Sequence, residues 1–246
     1  MFHPIPCSQV KNLGVIFNKH FTWDDHVGAV SRRCNDILIG LSQTRRVMPR
    51  NIVSVLVSAL VVSQVRYCLS VYSNGTQTSM NRIQRILNFA AKVVYGRSKF
   101  ERASDLLDEL GWLPAQLMAD HSTICLAHKV LVSGEPRSLA ATLVHNRDSR
   151  QRSTRKDGLL YVPRSRCEAG KRRFCVRVPA LYNALPDELT SMNPWRFSRT
   201  LKRKMIPLTT QLSIGARHQL APEPRAQDMK CVCLCVCVFY HYINSN

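Results

Sequence analysis

Three glycines, Gly96, Gly111 and Gly134, each close a stretch in which apolar residues recur every three or four positions. Glycine just beyond such a stretch is a common helix stop, because it enters the left-handed region without a steric penalty. The front of the chain is therefore constrained to fold as packed helices. Thr22 reads as the N-cap of the first, with Asp24 and Asp25 in the opening turn, where the helix dipole favours negative charge. Val27, Val30, Cys34, Ile37 and Leu41 make its inner stripe, Arg45 and Arg46 fill its last turn, and Pro49 ends it. Residues 51–67 are apolar nearly all round, which predicts the central and most buried helix. Two buried strands are the alternative there, since valine is a poor helix former.

A third helix is predicted from about Ser79 to Tyr95, with Ile83, Leu87, Ala90 and Val94 inward and Arg82, Arg85 and Lys92 outward. A short one follows over Asp105 to Leu110, capped by Ser104, and a fifth runs from about Ala115 to Val132. In front of them, Lys11 to Phe17 reads as a short strand with a glycine bend.

Charge is distributed unevenly. The 246 residues hold 35 Lys+Arg against 16 Asp+Glu, a formal net charge of +19. Residues 145–177 alone carry eleven basic and three acidic residues, and Pro194 to Met205 reads as an amphipathic helix with five basic residues and no acid. Such an excess selects a polyanionic partner, either nucleic acid or an anionic membrane face, and implies no catalysis. Within the basic stretch, Gly158 to Val162 and Phe174 to Val178 are predicted as two strands around a turn near Gly170. Beyond Ile206 no period survives, and disorder is expected. The longest apolar run, Ile52 to Val62, is eleven residues, and the charge-free span around it, Asn51 to Val65, is fifteen, against the roughly 20 of a membrane helix. Cys7, Cys34, Cys68, Cys125, Cys167 and Cys175 are scattered, and no secretory signal precedes them, so an intracellular, reducing location is expected.

Candidate chemistry is sparse. Asp24-Asp25 invites comparison with Mg²⁺-binding aspartate pairs, but capping at a helix start accounts for their position. Asp105, Asp108 and Glu109 read as a solvated helix face. His121, Cys125 and His128 share one helical face and resemble the beginning of a zinc site, yet Leu117, Ile124 and Leu131 follow the same stripe and no fourth ligand is in register. Core or boundary residues are the better reading. No glycine-rich phosphate loop, nucleophile elbow or paired glutamates occur, so neither catalytic residues nor a metal site are expected. Basic faces beside Tyr161, Phe174 and Trp195 suit backbone phosphates and stacking on unpaired bases.

An ordered series of motifs resembles a known family. It begins with Lys11-Asn-Leu-Gly-Val-Ile-Phe17 and Phe21-Thr-Trp-Asp-Asp-His26-Val. Arg66-Tyr67-Cys68 and Asn81-Arg-Ile-Gln-Arg-Ile-Leu-Asn-Phe-Ala-Ala-Lys-Val-Val-Tyr-Gly96 come next. Leu110-Gly-Trp-Leu-Pro114 and Tyr161-Val-Pro-Arg-Ser-Arg166 precede Arg172-Arg-Phe174 and Pro179-Ala-Leu-Tyr-Asn-Ala-Leu-Pro186. Over about residues 11–203 this order resembles the C-terminal part of non-LTR (LINE-type, jockey-like) retrotransposon reverse transcriptases. The resemblance implies a mainly α fold: a helical thumb bundle preceded by a short strand or hairpin remnant and followed by a small basic α+β extension. It divides the chain into 1–21 (end of the palm, with Leu13 and Gly14 in the primer-grip hairpin), 22–134 (thumb), 145–205 (basic extension) and 206–246 (disordered tail).

The family's Tyr-x-Asp-Asp turn would lie upstream of Leu13-Gly14, and Mg²⁺ would belong with it. Thr22-Trp-Asp-Asp lies on the other side and lacks the tyrosine, so the chain is expected to be a fragment that binds RNA and DNA without polymerising. Arg82, Arg85 and Lys92 in the thumb, with Arg164, Arg166, Lys171, Arg172 and Arg173 in the extension, are the expected backbone contacts. The rival reading is a basic helical adaptor for acidic proteins or anionic membrane surface. Cys231-Val-Cys-Leu-Cys-Val-Cys-Val238 has the form of a translated TG repeat and is expected to carry no function.

Overall fold

The computed structural model describes residues 8–20, 22–98, 100–149 and 157–206. Cys7, Phe21, and all of the expected tail but Ile206, with its Cys-Val run, lie outside the described residues. The fold is mainly α. Strands β1 (Gln9–Asn12) and β2 (Val15–Asn18) precede α1 (Asp24–Thr44), α2 (Arg50–Val57), α3 (Ser63–Arg66), α4 (Leu69–Tyr72) and α5 (Gln77–Tyr95). Then come α6 (Ser104–Glu109), α7 (Ala115–Ser133), α8 (Arg137–Ala140) and α9 (Asn146–Ser149). Last are α10 (Glu168–Lys171), α11 (Phe174–Tyr182), α12 (Asp187–Thr190) and α13 (Pro194–Met205).

These elements form two compact units. The first comprises the described parts of 1–68 and 75–115, the second 69–74 and the described residues from 116 onward. All of α7 but Ala115 falls in the second unit, together with the basic stretch that begins at 145.

In the first unit the single bent strand read from residues 11–17 is a hairpin. Asn12 pairs with Val15, leaving Leu13 and Gly14 as a two-residue loop at φ 46° and 80°. Two-residue hairpin loops of this kind need positive φ at both positions, which glycine supplies freely and leucine only at a cost. The Tyr67 hydroxyl donates to the Leu13 carbonyl at 2.8 Å and so ties the loop down. Thr22 is not the cap of α1; Trp23 holds that position. The Asn18 side chain engages Thr22 instead, accepting from its backbone N–H at 2.9 Å and donating to its hydroxyl at 2.6 Å. Helix α1 buries His26, Val27, Cys34 and Leu38 and packs along α5.

Residues 50–66 form one helical run in which 58–62 adopt a wider π turn. This excludes the two-strand alternative. Val53, Val57, Val61 and Val65 are buried at a spacing of four. An α-helix drifts by about 40° over each four residues, and the wider turn offsets that drift, keeping the valines on one side. The run is not buried all round, however: Ile52, Val55 and Leu60 are 45%, 64% and 43% exposed. With the valine edge satisfying the core, the opposite face stays in solvent.

Helix α5 is capped at both ends. Thr76 accepts from the Ser79 N–H at 3.2 Å. At the other end Gly96, at φ 68°, donates to the Val93 carbonyl while Arg97 donates to that of Lys92, the paired bonds of a Schellman stop. Arg45 donates to the Gly96 carbonyl at 3.3 Å, placing a cation at the negative end of the helix. A side chain at Gly96 would meet both positive φ and the Arg45 guanidinium. Gly96→Ala is expected to destabilise the protein by about 1–2 kcal/mol, read as a lower urea midpoint, whereas an unchanged midpoint would show that this stop is not strained.

The second unit has a core of Ala127, Val130, Leu139, Leu143, Leu160, Phe174 and Val178, to which Leu126, Leu131 and Tyr182 add. Its expected strand pair is absent from the described residues: Phe174–Tyr182 is helix α11. Phe174 and Val178 are one helical turn apart and both enter the core, so their apolar run satisfies a helical period as well as a strand period. Residues 158–162 form no strand either: Gly158 and Leu159 lie in a turn and a bend, and Leu160 makes an isolated bridge. Leu160 bridges to His145, and the Asn183 amide brackets it, accepting from its N–H at 2.9 Å and donating to its carbonyl at 2.8 Å.

Candidate nucleic-acid interface

Helix α7 supplies the polar anchors of the second unit. His128 is fully buried, with Nε2 2.8 Å from the Met192 carbonyl and Nδ1 2.8 Å from the Tyr182 hydroxyl. A carbonyl only accepts, so Nε2 carries the proton and Nδ1 accepts from Tyr182. The ring also stacks on Phe197, centroids 3.8 Å apart at 15°. His121, two turns earlier on the same face, lies 3.0 Å from the Ser198 carbonyl through Nε2, and Cys125 Sγ lies 3.6 Å from the same nitrogen. The suspected zinc beginning is thus a pair of core histidines that tether α12 and α13. Among the described residues no three His, Cys, Asp or Glu side chains are grouped to hold a metal ion.

Those tethers orient α13. Asn193 caps it, accepting from the Arg196 N–H at 2.9 Å, and Pro194 occupies its first turn. Phe197, Leu201 and Met205, spaced by four, are buried. The helical period then turns Trp195, Arg196, Arg199, Arg203 and Lys204 outward, and all five are exposed. The Arg199 guanidinium lies 5.7 Å from the centre of the Trp195 ring.

The eight expected phosphate contacts are placed as follows. Arg82 and Arg85 are exposed and Lys92 half-buried on α5, where offsets of three and seven put them on one face of the first unit. Arg164, Arg166 and Lys171 are exposed in the second unit, and Arg172 and Arg173 are half-buried between α10 and α11. Leu13 and Gly14 form the hairpin loop described above.

Arg177, counted with the basic stretch, is withdrawn. It forms an ion pair with Asp120 at 2.5 Å and also donates to Asn74 at 2.9 Å and Ser73 at 3.2 Å, with little exposure. Asp24 and Asp25 are likewise engaged, accepting from Ser79 at 2.5 Å and from Asn18 at 2.9 Å. Both lie in the first turn of α1, the helix-start position read from the sequence. The exposed face of α13 was legible as an acid-free amphipathic helix, but Arg196, Arg199, Arg203 and Lys204 were not singled out. The signal that would have found them is the four-residue spacing of Phe197, Leu201 and Met205.

No family model, curated protein or solved structure matches the chain. Among the described residues no helix is long and apolar enough to cross a membrane.

Burial holds His128 below the ordinary histidine value of 6.5, partly offset by its bond to the Met192 carbonyl, and burial lowers His26 as well. Below pH 6.5 the unfolded chain binds protons that the folded chain refuses, so this contribution is complete above pH 6.5 and is lost as pH falls toward the folded values. Urea midpoints should therefore fall between about pH 7 and pH 5, with a shallower fall in His128→Gln. A midpoint that rises over that range would contradict buried neutral histidines.

Proposed function

We propose that the chain is the template- and primer-holding part of a non-LTR retrotransposon reverse transcriptase, binding RNA and DNA inside the cell through their phosphates. One observation carries the binding: exposed Arg164, Arg166 and Lys171 lie within 158–186, where Glu168 is the single acidic residue, and the outward row of α13 lies within 194–206, which contains none. Guanidinium and ammonium groups exposed on such a cation-rich surface can replace the counterions of a phosphate chain. The reverse-transcriptase assignment is supported by the motif order and by the Leu13-Gly14 hairpin loop. An intracellular location is supported by Cys34 and Cys68, which are buried free thiols. Phosphoryl transfer is not assigned to this chain, since Tyr-x-Asp-Asp does not occur in it and its paired aspartates hold other partners.

The test is salt dependence. With six to ten phosphate contacts, affinity for an oligonucleotide should fall about 10³- to 10⁵-fold between 50 and 200 mM salt. Replacing Arg164, Arg166 and Lys171 together by glutamine should reduce the slope of log affinity against log salt by about 2–3. A flat response, or binding to anionic vesicles with none to nucleic acid, would contradict the proposal.

A further inference from the structure

We propose that α13 gives the second unit a preference for unpaired over duplex nucleic acid, with Trp195 as a platform on which an exposed base stacks; this rests on the nucleic-acid reading above. Trp195 is 70% exposed, on a rigid first turn capped by Asn193. A large aromatic ring left in solvent needs a reason, because burying it would be favourable. Its surroundings are cationic: Arg199 approaches the ring, and Arg196 and Arg203 stand exposed on the same helix.

A basic amphipathic helix bearing tryptophan also fits a membrane surface, but such a helix inserts its apolar face. Here that face is already committed, since Phe197, Leu201 and Met205 lie in the core of the unit. What remains outward is one flat aromatic ring among guanidinium groups. That combination matches a strand whose phosphates are separated by bases with accessible π-faces. In a duplex those faces are stacked on one another, so the ring would have to unstack a step to reach them.

The full chain reports on this directly, because Trp23 and Trp112 are buried and Trp195 is the exposed member of the three tryptophans. A single-stranded oligoribonucleotide is expected to quench the exposed emission, and Trp195→Phe should abolish most of that quenching while still binding. Trp195→Ala should weaken single-strand binding about 5- to 150-fold, the range expected for one stacked base, and change duplex binding less than about twofold. Equal losses on both substrates, or none on the single strand, would overturn the stacking role while leaving the phosphate-binding reading intact. Absence of wild-type binding to either substrate would overturn both. Blue-shifted emission on phosphatidylserine-containing vesicles, without quenching by the oligonucleotide, would overturn the proposal in favour of a membrane.

Discussion

The second unit depends on how His128 is buried. An imidazole in a core is tolerated only if it is neutral and both nitrogens find partners. Met192 and Tyr182 supply those partners, and stacking on Phe197 fixes the ring plane. One side chain of α7 thereby holds α11, the turn after α12, and the inner face of α13. Once Phe197 is fixed inward, Leu201 and Met205 follow it by helical geometry. The outward position of the cations is then a consequence of apolar packing, reached without any attraction to a ligand.

Formal charge overstates what such a surface offers. Arg177 is spent on Asp120 inside the second unit, where removing either partner would leave a poorly solvated charge. Arg50 pairs with Glu109 at 2.9 Å and lies over the Tyr95 ring, and its hydrogen bond holds the Glu109 carboxyl below the usual carboxylate range. That pair is exposed and adds little stability, but it occupies a cation all the same. Arg45 serves the end of α5. The groups left for a polyanion are chiefly Arg164 and Arg166, in the acid-free run 158–167, and the outer face of α13, where Lys204 also reaches Glu188 at 4.0 Å.

Most of the helical frame was legible in the sequence, because long periodic stretches with glycine stops have few alternatives. The 115–133 and 194–205 helices and the Gly96 stop emerge from local signals alone. The errors have a common cause: partners distant in sequence decided the outcome. Thr22 was drawn from capping by Asn18, and Phe174–Tyr182 became helix because Leu139, Leu143 and Leu160 accept Phe174 and Val178 at helical spacing. The exposed side of 50–66 could not be read from its own residues, since burial is set by how many neighbours the fold provides. Likewise, nothing local marks Arg177 as internal; its partner lies 57 residues away. For the candidate interface, residue types and acid-free stretches were visible, whereas the orientation of α13 required His128 and His121 to be in place.

Hydrogen exchange across 194–205 tests the central claim that buried histidines seat α13 and so turn its cations outward. Slow exchange is predicted for the backbone amides from Phe197 to Met205 in the intact chain, with that protection lost selectively in His128→Ala. Fast exchange of those amides in the intact chain, or unchanged protection in the variant, would contradict the account.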